Sequence, residues 1–374
     1  MAVAANIICA WTGAHASLPT GWSRETDLDG KYVIGATGDG GGTGGSTTHE
    51  HTSVAHTHTI TISNSSSNSS YPLGRNRIAK TVHTHGLGGT LTSNSATVII
   101  QAASNDPEYV EVIWIKSDGT NDIPDDCLAF FEEETPPTDW VVFADTKDKF
   151  LKGAGTGADA GGTGGSATHT HTATNHTHAA KTSAAPTVTA TNGGGTGTQL
   201  ASSTHTHNFS IGSTSTTVST DNGEPTFYKL SIVQNTTGGD DLPDGIICLW
   251  IDAEADIPDN WTKVDAMDDY FCKGWADNGD SIGDTGGGSA HNHTSTGHTG
   301  TVSHTSSASN NSTNIGPGSA SINNHTHSDS ANSRTNVINN CTSEANYPEY
   351  VEAIFIKYTA AVVSDYYHVM VMNT

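Results

Sequence analysis

Positively charged residues are scarce in this chain of 374 residues. It carries 15 Lys and Arg against 39 Asp and Glu, which gives a formal net charge of -24. Nucleic acids and anionic membrane surfaces are bound mainly through clustered Lys and Arg. We therefore expect the chain to bind neither a nucleic acid nor an anionic membrane.

Apolar residues are also few, and they never run together for long. They make up 33% of the chain, and no stretch approaches the roughly 20 consecutive apolar residues of a membrane span. The opening residues MAVAANIICAWTG lack the basic region and the long apolar run of a secretory signal peptide. The sequence thus predicts no membrane insertion and no signal peptide. Five cysteines are too few for a fold held together by disulfides.

Glycine and small polar residues are abundant instead. The chain has 41 Gly, and only 14% of its residues are charged, against about 25% in ordinary soluble domains. Its apolar residues are collected in short runs rich in Val, Ile and aromatic side chains. This composition favours an all-β, loop-rich fold.

One pattern occurs three times along the chain, with a period of about 120 residues. Each copy contains a cysteine, a proline, a tryptophan, a glycine-rich stretch, several histidines and a closing run of β-branched and aromatic residues. The cysteines are Cys9, Cys127 and Cys248, and the closing runs begin at Pro107, Pro225 and Pro348. We predict three tandem small β domains at 1–118, 119–239 and 240–358, followed by an extra C-terminal strand at 359–374.

The opening and closing runs of each copy predict β-strands, because their apolar and aromatic residues alternate. The proline shortly before each tryptophan predicts a turn that places the tryptophan on the core. Between these runs the chain is mostly Gly, Ser, Thr and Asn, which offers too little apolar surface to offset the entropy lost on folding. An interaction other than hydrophobic burial must therefore order those stretches.

Histidine is the most informative residue type in the chain. Sixteen of the 20 histidines form eight His-x-His pairs at corresponding places in the three copies. The pairs are His49/His51, His56/His58, His83/His85, His169/His171, His176/His178, His205/His207, His291/His293 and His325/His327. His298 has no such partner, because Gly300 occupies that position.

The spacing of these pairs has a physical meaning. Residues i and i+2 of a strand point to the same face, so each pair presents two imidazoles side by side. Three such strands around a three-fold axis would bring six imidazoles to one point as an octahedral nitrogen shell. That shell favours iron(II) or nickel, with zinc as an alternative that prefers four ligands. Because a closed shell has no open position, the metal would be structural, and its binding energy would become folding energy.

Three such metal shells are predicted along the axis. Solvated surface histidines are the alternative for any single pair, but eight pairs at equivalent places favour metal ligation. The first shell is His49, His51, His169, His171, His291 and His293. The second is His56, His58, His176, His178 and His298. The third is His83, His85, His205, His207, His325 and His327.

The sequence outside the histidine pairs contains no recognisable catalytic motif, so we expect no enzymatic activity. The chain has no nucleophile elbow, zinc-protease helix motif or phosphate-binding loop. Cys9, Cys127 and Cys248 are expected to be buried packing residues, with metal binding by three thiolates as a less favoured alternative. A disulfide between Cys272 and Cys341 is left open.

The order of motifs resembles the phage tail-collar and tail-fibre tip families. The resemblance rests on residues 18–22 (LPTGW), 29–35 (DGKYVIG), 44–46 leading into His49-Glu50-His51, and 107–116 with its closing strand. In those families the domain ends a trimeric fibre, and His-x-His pairs from three chains hold metal ions along an intertwined needle. The family usually carries one such domain per chain, whereas this chain carries three copies. We therefore expect an intrachain pseudo-trimer, with an intertwined homotrimer as the alternative.

The resemblance implies a non-enzymatic attachment protein. It would be a phage tail-fibre or tail-tip protein in the virion, stabilised by histidine–metal sites. Its partners would be other virion subunits and, for receptor binding, a host-surface glycan or protein. The alternative is a subunit of a self-assembling extracellular filament. In that case the apolar run at 361–372 would be a strand donated to a neighbour, instead of a strand that covers its own domain.

Overall fold

The fold of the chain is all-β, as the composition predicts. The computed structural model describes residues 2–52, 59–60, 91–92, 100–173, 176–182, 207–214, 217–239, 242–294, 299–300, 302–306, 334–335 and 341–360. These residues form a closed eight-stranded barrel with additional strands. In the described part of the chain, no helix has the length and apolar character needed to cross a membrane.

The strands follow a common order in the three predicted copies. The first copy contains β1 (Ile8–Trp11), β2 (Trp22–Arg24), β3 (Tyr32–Gly35), β4 (Thr43–Gly44), β5 (Thr48–His49), β6 (Thr59–Ile60), β7 (Leu91–Thr92), β8 (Ala103–Ser104) and β9 (Tyr109–Ser117). The second contains β10 (Cys127–Phe131), β11 (Trp140–Val142), β12 (Phe150–Gly153), β13 (Thr163–Gly164), β14 (Thr168–His169), β15 (His176–Thr182), β16 (His207–Thr214), β17 (Asp221–Asn222) and β18 (Phe227–Asn235).

The third copy and the short helices complete the described elements. The third copy contains β19 (Ile247–Trp250), β20 (Trp261–Lys263), β21 (Phe271–Gly274), β22 (Thr285–Gly286), β23 (Ala290–His291), β24 (Thr299–Gly300), β25 (Val302–Ser306), β26 (Arg334–Thr335), β27 (Glu344–Ala345) and β28 (Tyr350–Tyr358). Single turns of 3-10 helix lie at His15–Ser17, Thr26–Leu28, Ala144–Thr146, Glu254–Asp256 and Asp265–Met267.

The opening strand of each copy pairs antiparallel with the closing strand of the same copy. Thus β1 pairs with β9, β10 with β18 and β19 with β28. The predicted opening and closing strands are therefore confirmed. The strand that begins at each turn tryptophan, β2, β11 or β20, also pairs with that closing strand.

The predicted turn before each of these tryptophans is present. The backbone N–H of the tryptophan donates to the proline carbonyl three residues earlier, at 3.1 to 3.2 Å. The residue before the tryptophan has a positive φ, which Gly, Asn and Asp tolerate best. The tryptophans, Trp22, Trp140 and Trp261, are buried, and the residues before them are Gly21, Asp139 and Asn260.

Strands are also exchanged cyclically between the copies. The third strand of each copy runs parallel to the closing strand of the preceding copy: β12 beside β9, β21 beside β18, and β3 beside β28. The opening strands β1, β10 and β19 pair with one another around the centre. Each copy therefore completes its sheet with strands from the other two.

The central strands are buried on both faces. In β1, Cys9 and Trp11 join one apolar cluster, while Ile8 and Ala10 join a second cluster on the other face. Successive residues of a strand point to opposite faces, so the core forms two layers separated by the central strands. A third cluster of Tyr and Phe side chains lies around β3, β12 and β21.

The sequence left open a disulfide between Cys272 and Cys341 and predicted a C-terminal strand. Cys272 and Cys341 are both buried free thiols, so the disulfide left open between them is not formed. The C-terminal strand predicted within 361–372 lies outside the described residues.

A glycine at the end of the third strand of each copy allows close backbone contact. A Cβ atom at Gly153 would lie 1.9 Å from the carbonyl oxygen of Leu28, which belongs to another copy. Gly35 and Gly274 stand at the corresponding positions and face the carbonyl oxygens of Met267 and Thr146 at 1.8 and 2.0 Å. Only glycine fits these three positions without a backbone shift.

We expect Gly153→Ala to destabilise the fold by about 1–3 kcal/mol or more, because the added methyl group must displace a backbone carbonyl. Gly155→Ala is the matched control, since a Cβ at Gly155 would meet no atom within 4 Å. Urea unfolding of both variants measures the difference. Equal stability of the two variants would contradict the close strand packing.

Candidate metal centre

The chain enters the candidate metal centre through three glycine turns. Gly45, Gly165 and Gly287 have φ values of 72°, 72° and 69°. The backbone N–H of the next residue donates to a carbonyl of a different copy at 3.0 to 3.1 Å. Each turn therefore attaches one copy to the backbone of another copy, a few residues before the first histidine of its pair.

A second set of backbone bonds holds the chain just after the histidines. Gln101 N–H donates to Thr172 O at 3.0 Å, and Ser219 N–H donates to Thr294 O at 2.9 Å. In the remaining copy, Thr342 N–H donates to the carbonyl of Thr52 at 3.0 Å. Each His-x-His segment is thus fixed on both sides by backbone of another copy.

Six imidazoles converge between these anchors. Their candidate ligand nitrogens all lie within 4.8 Å of one another. The residues are His49, His51, His169, His171, His291 and His293, the six members of the first predicted shell. Four of them are buried and two, His169 and His291, are half-buried.

The distances fit a six-coordinate ion. The Nε2 atom of His49 lies 3.1 Å from that of His169 and 3.0 Å from that of His171. The corresponding distances are 3.1 Å for His169 to His293 and 3.3 Å for His51 to His291. With metal–nitrogen bonds of about 2.1 Å, neighbouring donors of an octahedron are about 3.0 Å apart.

The arrangement of the rings is octahedral as well. Each ring packs edge to face against four of the other five, with centroids 4.5 to 5.1 Å apart. A vertex of an octahedron likewise has four neighbours and one opposite vertex. Among these six described rings, the pairs without such packing are His49 and His293, His51 and His169, and His171 and His291.

The second histidine of each pair is oriented by a backbone carbonyl. The Nδ1–H group of His51 donates to Thr342 O at 2.6 Å, that of His171 to Gln101 O at 2.7 Å, and that of His293 to Ser219 O at 2.6 Å. A carbonyl accepts only, so the proton must be on Nδ1 and the lone pair on Nε2. Each carbonyl comes from a different copy than the histidine it orients.

The first histidine of the first copy is oriented by an asparagine. The Nδ2 group of Asn105 donates to Ser46 O and Tyr347 O, which fixes its Oδ1 atom as the acceptor for His49 Nδ1–H. The Nε2 lone pair of His49 therefore also faces the centre.

The other two copies differ at this position. Gly223 stands where the first copy has Asn105, and a Cβ at Gly223 would lie 2.9 Å from His169 Nδ1. The third copy has Asn346, whose Oδ1 atom is buried without a hydrogen-bond partner, as are the Nδ1 atoms of His169 and His291. The orienting contacts are thus complete in one copy and incomplete in two.

Burial keeps the imidazoles uncharged. It lowers the pKa of His49 and of His291 to about 4, and that of His169 to about 3. Burial also lowers the pKa values of His171 and His293, against an opposing effect of their hydrogen bonds to carbonyls. These five side chains are neutral at pH 7 and can act as metal ligands.

The arrangement suits a cation at its centre. Four of the rings, those of His49, His51, His171 and His293, direct unshared Nε2 electron pairs inward, and the Nε2 atoms of His49 and His171 lie 3.0 Å apart. Nitrogens that both lack a proton repel one another at this distance. A metal ion placed between them turns the same geometry into a ligand shell. The six residues therefore form a buried cluster that could hold a metal ion.

The other two predicted shells are not described at the level of side chains. His176 and His178 are backbone positions in β15, and His207 begins β16. The remaining predicted ligands lie outside the described residues: His56, His58, His83, His85, His205, His298, His325 and His327.

Comparisons of the chain with protein-family models, curated proteins and solved structures gave no match. The resemblance to tail-collar and tail-fibre tip families therefore rests on the sequence motifs alone.

The sequence analysis missed the groups that orient the histidines. Asn105 and Asn346 are each two residues before the proline of a closing run, and this recurrence was a usable signal. The carbonyls of Gln101, Ser219 and Thr342 carried no signal, because any residue supplies a backbone carbonyl.

We expect Asn105→Ala to weaken metal binding about 10- to 100-fold, because His49 loses the acceptor that fixes its tautomer and orientation. The matched control is Asn278→Ala, at an exposed asparagine bonded to Asp148. Competition of each variant against a chromophoric chelator gives the affinities. An unchanged affinity for Asn105→Ala would show that His49 is oriented in another way.

Proposed function

We propose that the six histidines bind one transition-metal ion in octahedral coordination. The observation that carries this proposal is the convergence of six imidazoles whose neighbouring Nε2 atoms are 3.0 to 3.3 Å apart, the spacing of octahedral donors. Iron(II) is the favoured ion and nickel the next, since both accept six nitrogen ligands, whereas zinc prefers four.

The ion has a structural role in this proposal. Six protein ligands leave no position for a substrate or an activated water molecule, so the site does no chemistry of its own. Each ligand pair comes from a different copy, and the ion ties all three copies together. The protein is then non-enzymatic.

The chain acts as a single-chain pseudo-trimer. The cyclic pairing of β12 with β9, β21 with β18 and β3 with β28 supports this arrangement. The carbonyls that orient the second histidines follow the same cyclic order, because each histidine is bonded to a carbonyl of the preceding copy. An intertwined homotrimer, in which separate chains would supply the copies, is the alternative.

At the level of biology, we assign the chain to virion attachment. Its motifs resemble tail-collar and tail-fibre tip domains, and in the sequence each histidine pair of the centre is followed by a long stretch rich in Ser, Thr and Gly. In this proposal the chain binds a host-surface glycan or protein and is attached to other virion subunits.

A self-assembling extracellular filament is the second candidate. It depends on a strand donated from 361–372, which lies outside the described residues, and no described contact favours it. The two candidates differ in whether the isolated protein polymerises.

Native mass spectrometry of untagged protein tests the proposal. We expect one species near 38.8 kDa plus at least one metal ion, and discrete particles by electron microscopy. A species three times heavier would indicate the homotrimer, and filaments would favour the second candidate. A folded, metal-free protein would overturn the metal assignment.

A matched pair of variants tests whether His291 is a metal ligand. His291→Ala should weaken metal retention at least about 10-fold, since it removes a donor from the shell. His15→Ala is the control, because His15 lies outside the cluster and contacts Arg24. Equal metal content in both variants would remove His291 from the shell.

A further inference from the structure

Two cysteine thiols meet inside the barrel, where the opening strands of the three copies pair with one another. The antiparallel pairing of Ile8 with Leu249 places Cys9 of β1 opposite Cys248 of β19. Their Sγ atoms are 3.5 Å apart, although the two residues are 239 positions apart in the sequence. Both are free thiols, and both side chains are at most 2% exposed.

Cys127 occupies a different position in its strand. By strand register, the residue of β10 opposite Cys9 is Ala129. Cys127 lies two residues earlier and is paired with Trp11. The corresponding residues of the three opening strands are therefore Cys9, Ala129 and Cys248, and only two of them carry sulfur. The alanine shows that a side chain without sulfur also fits this position.

The contact between Cys9 and Cys248 is close to the geometry of a disulfide. Directly opposite residues of antiparallel strands have Cα atoms about 4.5 to 5.5 Å apart, within the range of about 4.4 to 6.8 Å that a disulfide spans. Closing the sulfur contact to a bond of about 2.05 Å needs a side-chain rotation and a small approach of the two strands. The surroundings are apolar and include Trp11 and Trp250. A disulfide is uncharged, so it fits such surroundings.

A bond between these two residues would close a ring of copies. The peptide chain connects the first copy to the second and the second to the third. Cys9 belongs to the first copy and Cys248 to the third, so the bond adds the remaining connection. Because it encloses a long loop, it would restrict the unfolded chain strongly and favour the folded state.

We propose that Cys9 and Cys248 form a disulfide when the protein meets a small disulfide oxidant such as oxidised glutathione. One protein thiolate attacks the S–S bond of the oxidant, which gives a mixed disulfide and releases one glutathione. The second protein thiolate attacks the protein sulfur of the mixed disulfide and releases the other glutathione. Two electrons pass from the protein to the oxidant, and the two thiol protons end on the released glutathione molecules.

This exchange takes place while the barrel is open. In the folded protein, hydrogen bonds to neighbouring thiols, together with burial, raise the pKa values of Cys9 and Cys248. The thiolate is the reactive form, so folded protein reacts slowly. The disulfide therefore forms during folding or transient opening, and burial then shields it from reductants.

Equilibration of the full-length, metal-loaded protein with mixtures of reduced and oxidised glutathione tests the proposal. One series is held at a urea concentration where the protein is folded but opens repeatedly, and a second series is held where it is unfolded. We expect the equilibrium constant for the Cys9–Cys248 bond to be about 30- to 1000-fold larger in the folded series, the ratio that corresponds to the usual stabilisation by a disulfide. Equal constants in the two series would overturn the proposal.

Peptide mapping without reduction, after the remaining thiols are blocked, identifies the bonded pair. We expect one linked pair of peptides that contain Cys9 and Cys248. A pair that contains Cys127 would overturn the assignment, as would folded protein that stays reduced at glutathione ratios that oxidise the unfolded chain.

Variants separate this pair from the third thiol of the cluster. In Cys9→Ala and in Cys248→Ala, every remaining cysteine should be blocked, and both variants should fold because Ala129 occupies the corresponding position. Cys127→Val is the matched control and should keep the disulfide, since Ile7 and Ile246 stand two residues before Cys9 and Cys248. Loss of the bond in a folded Cys127→Val protein would contradict the pairing. If a variant does not fold, the peptide map of the wild-type protein decides, because it identifies both linked cysteines directly.

Discussion

Imidazole nitrogens that face one another inside a protein impose the main constraint on this structure. Neighbouring Nε2 atoms lie 3.0 to 3.3 Å apart. The unprotonated Nε2 atoms of His49 and His171 are 3.0 Å apart, which is repulsive without a cation and favourable with one. To hold them there, the protein supplies an acceptor for Nδ1 of His49, His51, His171 and His293. The acceptor of each second histidine comes from a different copy, so the six-histidine cluster exists only if the copies are interleaved. The cyclic strand pairing provides that interleaving.

The centre also marks a change in what orders the chain. In the barrel, tryptophans, isoleucines and phenylalanines fill a core of buried strands, and hydrophobic burial is the stabilising interaction. Beyond the second histidine of each pair, the sequence turns to Ser, Thr, Asn and Gly. Metal binding is a suitable source of folding energy at this boundary, because it needs few residues and no apolar surface.

Much of this could be predicted from the sequence, and the reasons are specific. Alternating apolar runs identified the opening and closing strands, and the Pro-x-x-Trp spacing identified the turns that bury Trp22, Trp140 and Trp261. The His-x-His spacing identified the six side chains that converge. The strand exchange was not predicted, because alternation indicates a strand without naming its partner. The carbonyl acceptors could not be predicted either, because every residue has a backbone carbonyl. The absence of an asparagine at Gly223 shows that the copies differ even within the shell.

X-ray absorption spectroscopy of the metal in the purified, untagged protein tests the central claim most directly. We expect six nitrogen neighbours at about 2.1 Å or slightly longer, with the outer-shell scattering of imidazole rings. Loss of that spectrum in a variant that lacks His49, His169 and His291 would agree with the assignment. A four-coordinate ion, or one bound by sulfur or carboxylate oxygen, would contradict it.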